Sequence, residues 1–289
     1  MIRQTPAQKT FSIFNYIFLT ILSLSMLLPF VHIFAGSFSS GQAIMEGRVT
    51  IWPVDFTLDN YRAVLLDKEI WRSFGVTVYI TVFGTLLNLI FTSLMAYGLS
   101  KQDLKGRKII IFMVVFSMIF SAPLIPSYLI VKSLGMLNTL WSLMIPGLIS
   151  AFNLIIMISF FQNIPRDLLD TAKMDGCGEY RTLWSVVLPL SLPSLSTIGL
   201  FYAVGHWNGY FGALLYIRDQ KLFPLQVKLR QLIVESDAEQ MLQTASLTVQ
   251  SIEGIKMASI LVATVPILVI YPFVQKHFVK GSMLGSIKG

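Results

Sequence analysis

Uncharged apolar runs alternate with polar segments along the chain, and six of the runs reach the length that a membrane crossing needs. A helix crosses the roughly 30 Å hydrocarbon core with about 20 residues, because its backbone polar groups are then satisfied within the segment. The runs are Phe11 to Gly36, Ser73 to Leu99, Ile109 to Val131, Thr139 to Phe161, Leu192 to Ile217 and Met257 to Gln275, and none holds an Asp, Glu, Lys or Arg. The pattern predicts an all-α integral membrane protein of about six transmembrane helices. It divides the chain into a first span with its outer loop (1–72), a core of spans two to six (73–275) with a connecting loop at about 163–190, and a tail (276–289).

The segment from Ser37 to Arg72 holds Trp52-Pro53 and then Phe56 to Tyr61, a turn leading into a short amphipathic helix. In the segment from Arg218 to Lys256, Ala238, Met241, Leu242 and Ala245 recur at helical spacing. Trp52 and Trp71 suit interfacial anchors. Arg3, Lys9 and the small residues at Phe34-Ala35-Gly36 resemble parts of a signal peptide. The run between them is too long for a signal core of about 7 to 15 residues, so a retained span is expected.

Composition agrees: of 289 residues 54% are hydrophobic and 13% charged, with a mean hydropathy of +0.69. A formal charge of +7 would suit nucleic acid if the basic residues formed one patch, but they lie scattered between apolar runs. Twelve of the 22 Lys and Arg fall on the side holding the termini, four of them crowded between Lys101 and Lys108. Basic residues in short loops mark the cytoplasmic side, which puts both termini in the cytoplasm. Cys177 is the sole cysteine, and His32, His206 and His277 lie far apart, so neither a disulfide framework nor a metal site is indicated.

The connection between spans four and five is too charged to span. It runs from Asn163 to Pro189 and has the form of a short helix, a glycine turn and a second helix. Pro165 suits a first turn, Asp167 and Asp170 lie toward the positive end of the helix dipole, and Gly176 and Gly178 provide a stop. Leu168, Leu169 and Ala172 make a small apolar face, available to the lipid interface or to a partner protein.

The spacing Asp170-Thr171-Ala172, three residues, Gly176, nine residues, Val186-Val187-Leu188-Pro189 resembles the EAA motif of ABC importer permeases. Asp170 stands for the usual Glu, Thr171 for Ala and Cys177 for Ala, and the shorter carboxylate keeps its sign. The resemblance covers most of the chain and is nearest the carbohydrate-uptake permeases, the group of the smaller maltose permease subunit. Trp207-Asn208 and the ending Gln275 to Gly289 are similar to that group, and the ending to lipoprotein-like permeases of oligosaccharide and pectin-fragment systems. The resemblance implies a type I ABC importer permease fold in a bacterial cell membrane, in which this loop is a cytoplasmic coupling helix. It implies Asp170 as an ion-pairing group, Ala172 as a close-contact position and Gly176 as the turn, with Asp175 beside it. The implied partners are a second related permease, two ATPase subunits that carry ATP and Mg, an extracytoplasmic solute-binding protein and a sugar or oligosaccharide. No cofactor is expected on this chain.

Hydrolytic chemistry is not expected either, since the chain has no phosphate-binding Gly-x-x-x-x-Gly-Lys-Ser/Thr, no His-Glu-x-x-His and no Gly-x-Ser-x-Gly. Permeases for amino acids, peptides or phosphate share the loop and remain alternatives, as does a channel or structural subunit that lacks it. Within the spans His32, Asn88, Asn153, His206 and Asn208 are candidates for a water-filled path, against the alternative of helix–helix hydrogen bonding. His206 and Trp207 are the better candidates, and since Tyr202, His206 and Tyr210 fall at i, i+4, i+8, one face of the fifth span presents aromatic and hydrogen-bonding groups together, suited to sugar or to packing.

Overall fold

In the computed structural model, which describes residues 5–120, 122–232, 253–266 and 268–269, every regular element among the described residues is helical. The described residues up to Lys68 and those between 229 and 265 form one compact unit, and those from Glu69 to Lys228 form a second. The first unit thus joins the beginning of the chain to a part distant from it in sequence.

In the first unit, α1 (Pro6–Ser37) starts at a capping box: Gln8 N–H donates to Thr5 Oγ1 at 3.3 Å, and Thr5 N–H donates to Gln8 Oε1 at 2.9 Å. Its 32 residues make a rod of about 48 Å, and its apolar window is wholly unburied within the chain. Apolar surface of that extent is stable only in lipid or against another chain. Beyond it, α2 (Gly41–Met45) and α3 (Asp59–Leu66) fold the following loop around Ala35, Ala43 and Val49. Buried Asn60 donates to the carbonyls of Ser37 and Ser39, both at 3.1 Å, which ties α3 to the end of α1. Helical residues 253–265 meet this knot, Gly254 at Asn60 and Met257 at Gly36. The expected sixth span is helical as far as it is described; its end, the tail and the helix expected around Met241 lie outside the described residues.

The second unit is built on α4 (Lys68–Ser100), an uninterrupted helix of 33 residues. The three apolar runs after it are interrupted, which corrects the expectation of continuous helices at 109–131, 139–161 and 192–217. The run at 109–131 divides into α5 (Arg107–Ile119) and α6 (Leu124–Ser133). Pro123 is the reason, since it lacks an N–H and drives the residue before it out of the helical region. The run at 139–161 divides into α7 (Trp141–Met144) and α8 (Ala151–Gln162), with Pro146-Gly147 in the gap and Ser150 capping α8.

Then come α9 (Arg166–Met174), α10 (Glu179–Thr182), a π turn at Leu183–Val187 and α11 (Leu188–Leu190). Pro189 cannot donate to the carbonyl four residues back, and the wider π turn accommodates it. The segment from Glu179 to Leu190 meets α12 (Leu192–Trp207) at 86°. After α12 the chain breaks at Asn208-Gly209 before α13 (Phe211–Tyr216). The core of this unit is made by α4, α8, the π turn and α12 through Ala96, Leu154, Met157, Leu183, Val187 and Ile198.

Candidate functional site

The connecting segment folds as the helix, turn and helix expected from its sequence. At the end of α9, Cys177 N–H reaches the carbonyl of Ala172 at 2.9 Å and Gly176 N–H that of Lys173 at 3.0 Å. This pair of bonds is the Schellman stop, and it requires the left-handed conformation that Gly176 adopts at φ 75°. A Cβ at Gly176 would meet nothing within 4 Å, so the demand for glycine is conformational and not steric.

Ala172 is buried and α9 packs on the π turn, so the close contact at this position is made inside the chain. Asp170 and Asp175 are exposed, as is Met174, which is 88% accessible. The other side of the segment is tied to the end of α4. Glu179 pairs with Lys101 and accepts from the Tyr97 hydroxyl at 2.6 Å, while Arg166 donates to Gln102 Oε1 at 2.8 Å. Between these ties lies a cavity of about 360 Å³ whose rim holds the cations Lys101, Arg166 and Lys173 and the anions Asp103, Asp170 and Glu179.

Farther along α4, two polar rungs join α4, α12 and the gap between α7 and α8. Asn88, fully buried, donates from Nδ2 to the carbonyls of Gly147 and Leu148, each at 2.8 Å. Its amide orientation is thereby fixed, so Oδ1 accepts from His206 Nε2 at 2.7 Å and that ring nitrogen carries the proton. One turn on, the Tyr202 hydroxyl accepts from Ser150 N–H at 2.9 Å and shares a 2.7 Å hydrogen bond with Thr92 Oγ1. Non-helical backbone inside an apolar bundle must find partners, and these side chains supply them. Gly84 completes the arrangement, since a Cβ there would lie 2.6 Å from His206 Nε2.

The break after Trp207 removes Tyr210 from the helix that carries Tyr202 and His206, so the expected common face of the three does not form. Tyr202 is buried with its hydroxyl engaged, His206 is half-buried, and Tyr210 packs beside Ala213 and Ile217. Trp207 Nε1 and the hydroxyls of Thr81 and Thr85 are buried without a partner among the described residues. His32 bonds the Thr50 carbonyl at 3.0 Å in the loop between α2 and α3, Asn153 is buried in α8 and Asn208 is exposed.

The family described as the binding-protein-dependent transport system inner membrane component matches residues 105–282, more than half of the chain. The chain belongs to this family. It is 46% identical over 283 residues to the polygalacturonan/rhamnogalacturonan transport system permease protein YtcP of Bacillus subtilis (strain 168), covering 97% of this chain and 99% of that one. It is 47% identical over 289 residues to protein LplC of the same organism, covering 99% and 97%. A solved chain of a bacterial ABC transporter involved in the import of the acidic polysaccharide alginate superposes with a TM-score of 0.88 at 37% identity, covering 96% of this chain and 100% of that one. The family assignment makes this an all-helical, multi-pass membrane permease and a component of a transporter.

Sequence reasoning found the glycine stop of α9 and singled out Asn88, His206 and Tyr202. It missed Gly84, Thr92, Tyr97, Lys101, Gln102 and Glu179. The matching i, i+4 pairs Asn88/Thr92 on α4 and Tyr202/His206 on α12 were a signal that two helices meet through polar rungs. No local pattern marks Lys101 and Glu179 as partners across 78 positions (179 − 101).

Proposed function

We propose that the chain is the transmembrane permease subunit of an ATP-driven, binding-protein-dependent importer of oligosaccharides, and that its substrates are acidic ones. The observation that carries this is the 46% identity along nearly the whole chain to a polygalacturonan/rhamnogalacturonan permease, supported by the alginate importer chain of the same fold.

In this reading the chain crosses the membrane six times, the third, fourth and fifth crossings being the interrupted helices, and both termini are cytoplasmic. The helix α9 is the coupling helix. Asp170 and Asp175 face an ATPase subunit, Ala172 seats α9 on its own chain, and Gly176 ends the helix so that the docking face is held at a fixed angle. ATP and Mg are bound and hydrolysed by two such subunits, and a second related permease and an extracytoplasmic binding protein complete the importer. His206, Trp207 and Tyr210 line the sugar path, Trp207 offering an indole N–H that has no partner among the described residues. The engaged hydroxyl of Tyr202 favours a packing role there.

The test is reconstitution of the full complex in proteoliposomes with its binding protein inside a defined assay of ATP hydrolysis and uptake. Oligogalacturonides should stimulate both, and neutral maltooligosaccharides neither. Stimulation by the neutral sugar alone would reject the acidic substrate class, and activity of this chain without the ATPase would reject the subunit role.

A further inference from the structure

The coupling helix is connected by chain to α8 before it and to α10 after it, but not to α4. The segment nevertheless meets the end of α4 on either side of the coupling helix, at Arg166 and at Glu179, the first residue of α10. Arg166, the first residue of α9, bonds Gln102, and Glu179, just beyond the glycine stop, holds Lys101 and Tyr97. Lys101 Nζ also sits 4.7 Å over the Tyr97 ring. The remaining exposed side of α9, with Met174 and Asp175, is left clear of the cavity between these ties, while Asp170 lies on the cavity rim.

We infer that these two ties yoke α9 to α4, with Lys101 and Glu179 as positioning residues that pass the movement of the coupling helix to α4 through side chains. The inference rests on the importer reading above. Its consequence lies farther along α4: Asn88 stands 13 positions before Lys101, about 20 Å along a helix, and α4 there holds both α12 and the gap between α7 and α8. A displacement of α9 therefore reaches the polar rungs by way of α4, in parallel with the path through the π turn to α12.

Exposure separates a yoke from a structural support. The side chains of Lys101 and Glu179 remain 31% and 54% accessible, so the pair contributes little to folding. The three cations and three anions on the cavity rim balance, which speaks against a charged ligand there and for a closed set of contacts.

The experiment uses the complete importer in proteoliposomes, with this chain wild type, Lys101→Glu, Glu179→Lys, or carrying both substitutions. The quantity read is sugar imported per ATP hydrolysed. Each single reversal should lower that ratio by about fivefold or more, the scale of an ordinary coupling between sites, while hydrolysis persists and the ATPase stays bound. The double reversal should restore it, as expected for residues that act through one another. A ratio unchanged in the single variants overturns the yoke, and so does a parallel loss of hydrolysis and import or a double variant no better than the singles. A wild-type complex without sugar-stimulated hydrolysis would instead defeat the importer reading itself.

Discussion

Two sets of polar contacts converge on α4, and they differ in what surrounds them. Near its middle, fully buried Asn88 and Thr92 meet His206, Tyr202 and the unwound backbone at 147–150. At its end, Tyr97, Lys101 and Gln102 meet Glu179 and Arg166 where water has access. A buried polar group that loses its partner has no substitute, whereas an exposed ion pair exchanges readily with water. The inner set therefore sets stability, and the outer set can change geometry at little energetic cost. That is the division a device needs if one end is to be moved and the other is to hold the helices together.

The sharpest way to break the comparison is Asn88→Leu. It strands two carbonyls and the His206 N–H, and at about 1 kcal/mol each the loss should come to about 3 kcal/mol. Thermal unfolding in detergent should show a marked fall, and an unchanged transition would mean that water reaches the gap between α7 and α8.

Gly176→Ala is expected to be smaller and local. Forcing an alanine to φ 75° costs about 1–2 kcal/mol, and only the stop of α9 bears it. Recovery of the ATPase with the permease should drop while the unfolding transition of the whole chain barely moves. If the transition falls as far as in Asn88→Leu, the loop belongs to the stability core and the contrast fails.

Tyr202→Phe removes the second rung's hydroxyl and keeps the ring. About 1 kcal/mol should be lost, again in thermal unfolding, with import per ATP unaltered. A fall in import without a fall in stability would return Tyr202 to the sugar path.

The smallest effect concerns an exposed pair at the end of α2. The hydrogen bond from Gln42, and then that from Arg48, hold the Glu46 carboxyl below its ordinary range. A depressed carboxylate lends stability above its unfolded-state pKa and loses it as pH falls through the folded value. The difference in melting temperature between wild type and Glu46→Gln should thus be slight near neutral pH and vanish in acid. A difference that grows in acid would show that the pair behaves like the buried rungs.

What could be read from the sequence follows the reach of each interaction. Phe11 to Gly36 and Ser73 to Leu99 form continuous helices because each is an unbroken apolar run whose hydrogen bonds are all local. The stop of α9 was equally legible, since Gly176 acts within its own turn. Pro123, Pro146 and the Asn208-Gly209 pair were visible too, but a proline in an apolar run fits a kinked helix as well as a broken one.

The choice at 145–150 depends on whether the freed carbonyls and N–H find donors and acceptors elsewhere. Asn88 and Tyr202 provide them from positions 59 and 52 residues away. By itself the sequence determined a helical membrane protein, its apolar runs and the amphipathic loop, because hydropathy and glycine chemistry act over a few residues. Only the tertiary structure decided where the helices break, that Tyr210 leaves the face of Tyr202 and His206, and that Lys101 finds Glu179. The gap at 145–150 and the Lys101–Glu179 pair depend on hydrogen bonds or ion pairs between residues that packing alone brings together.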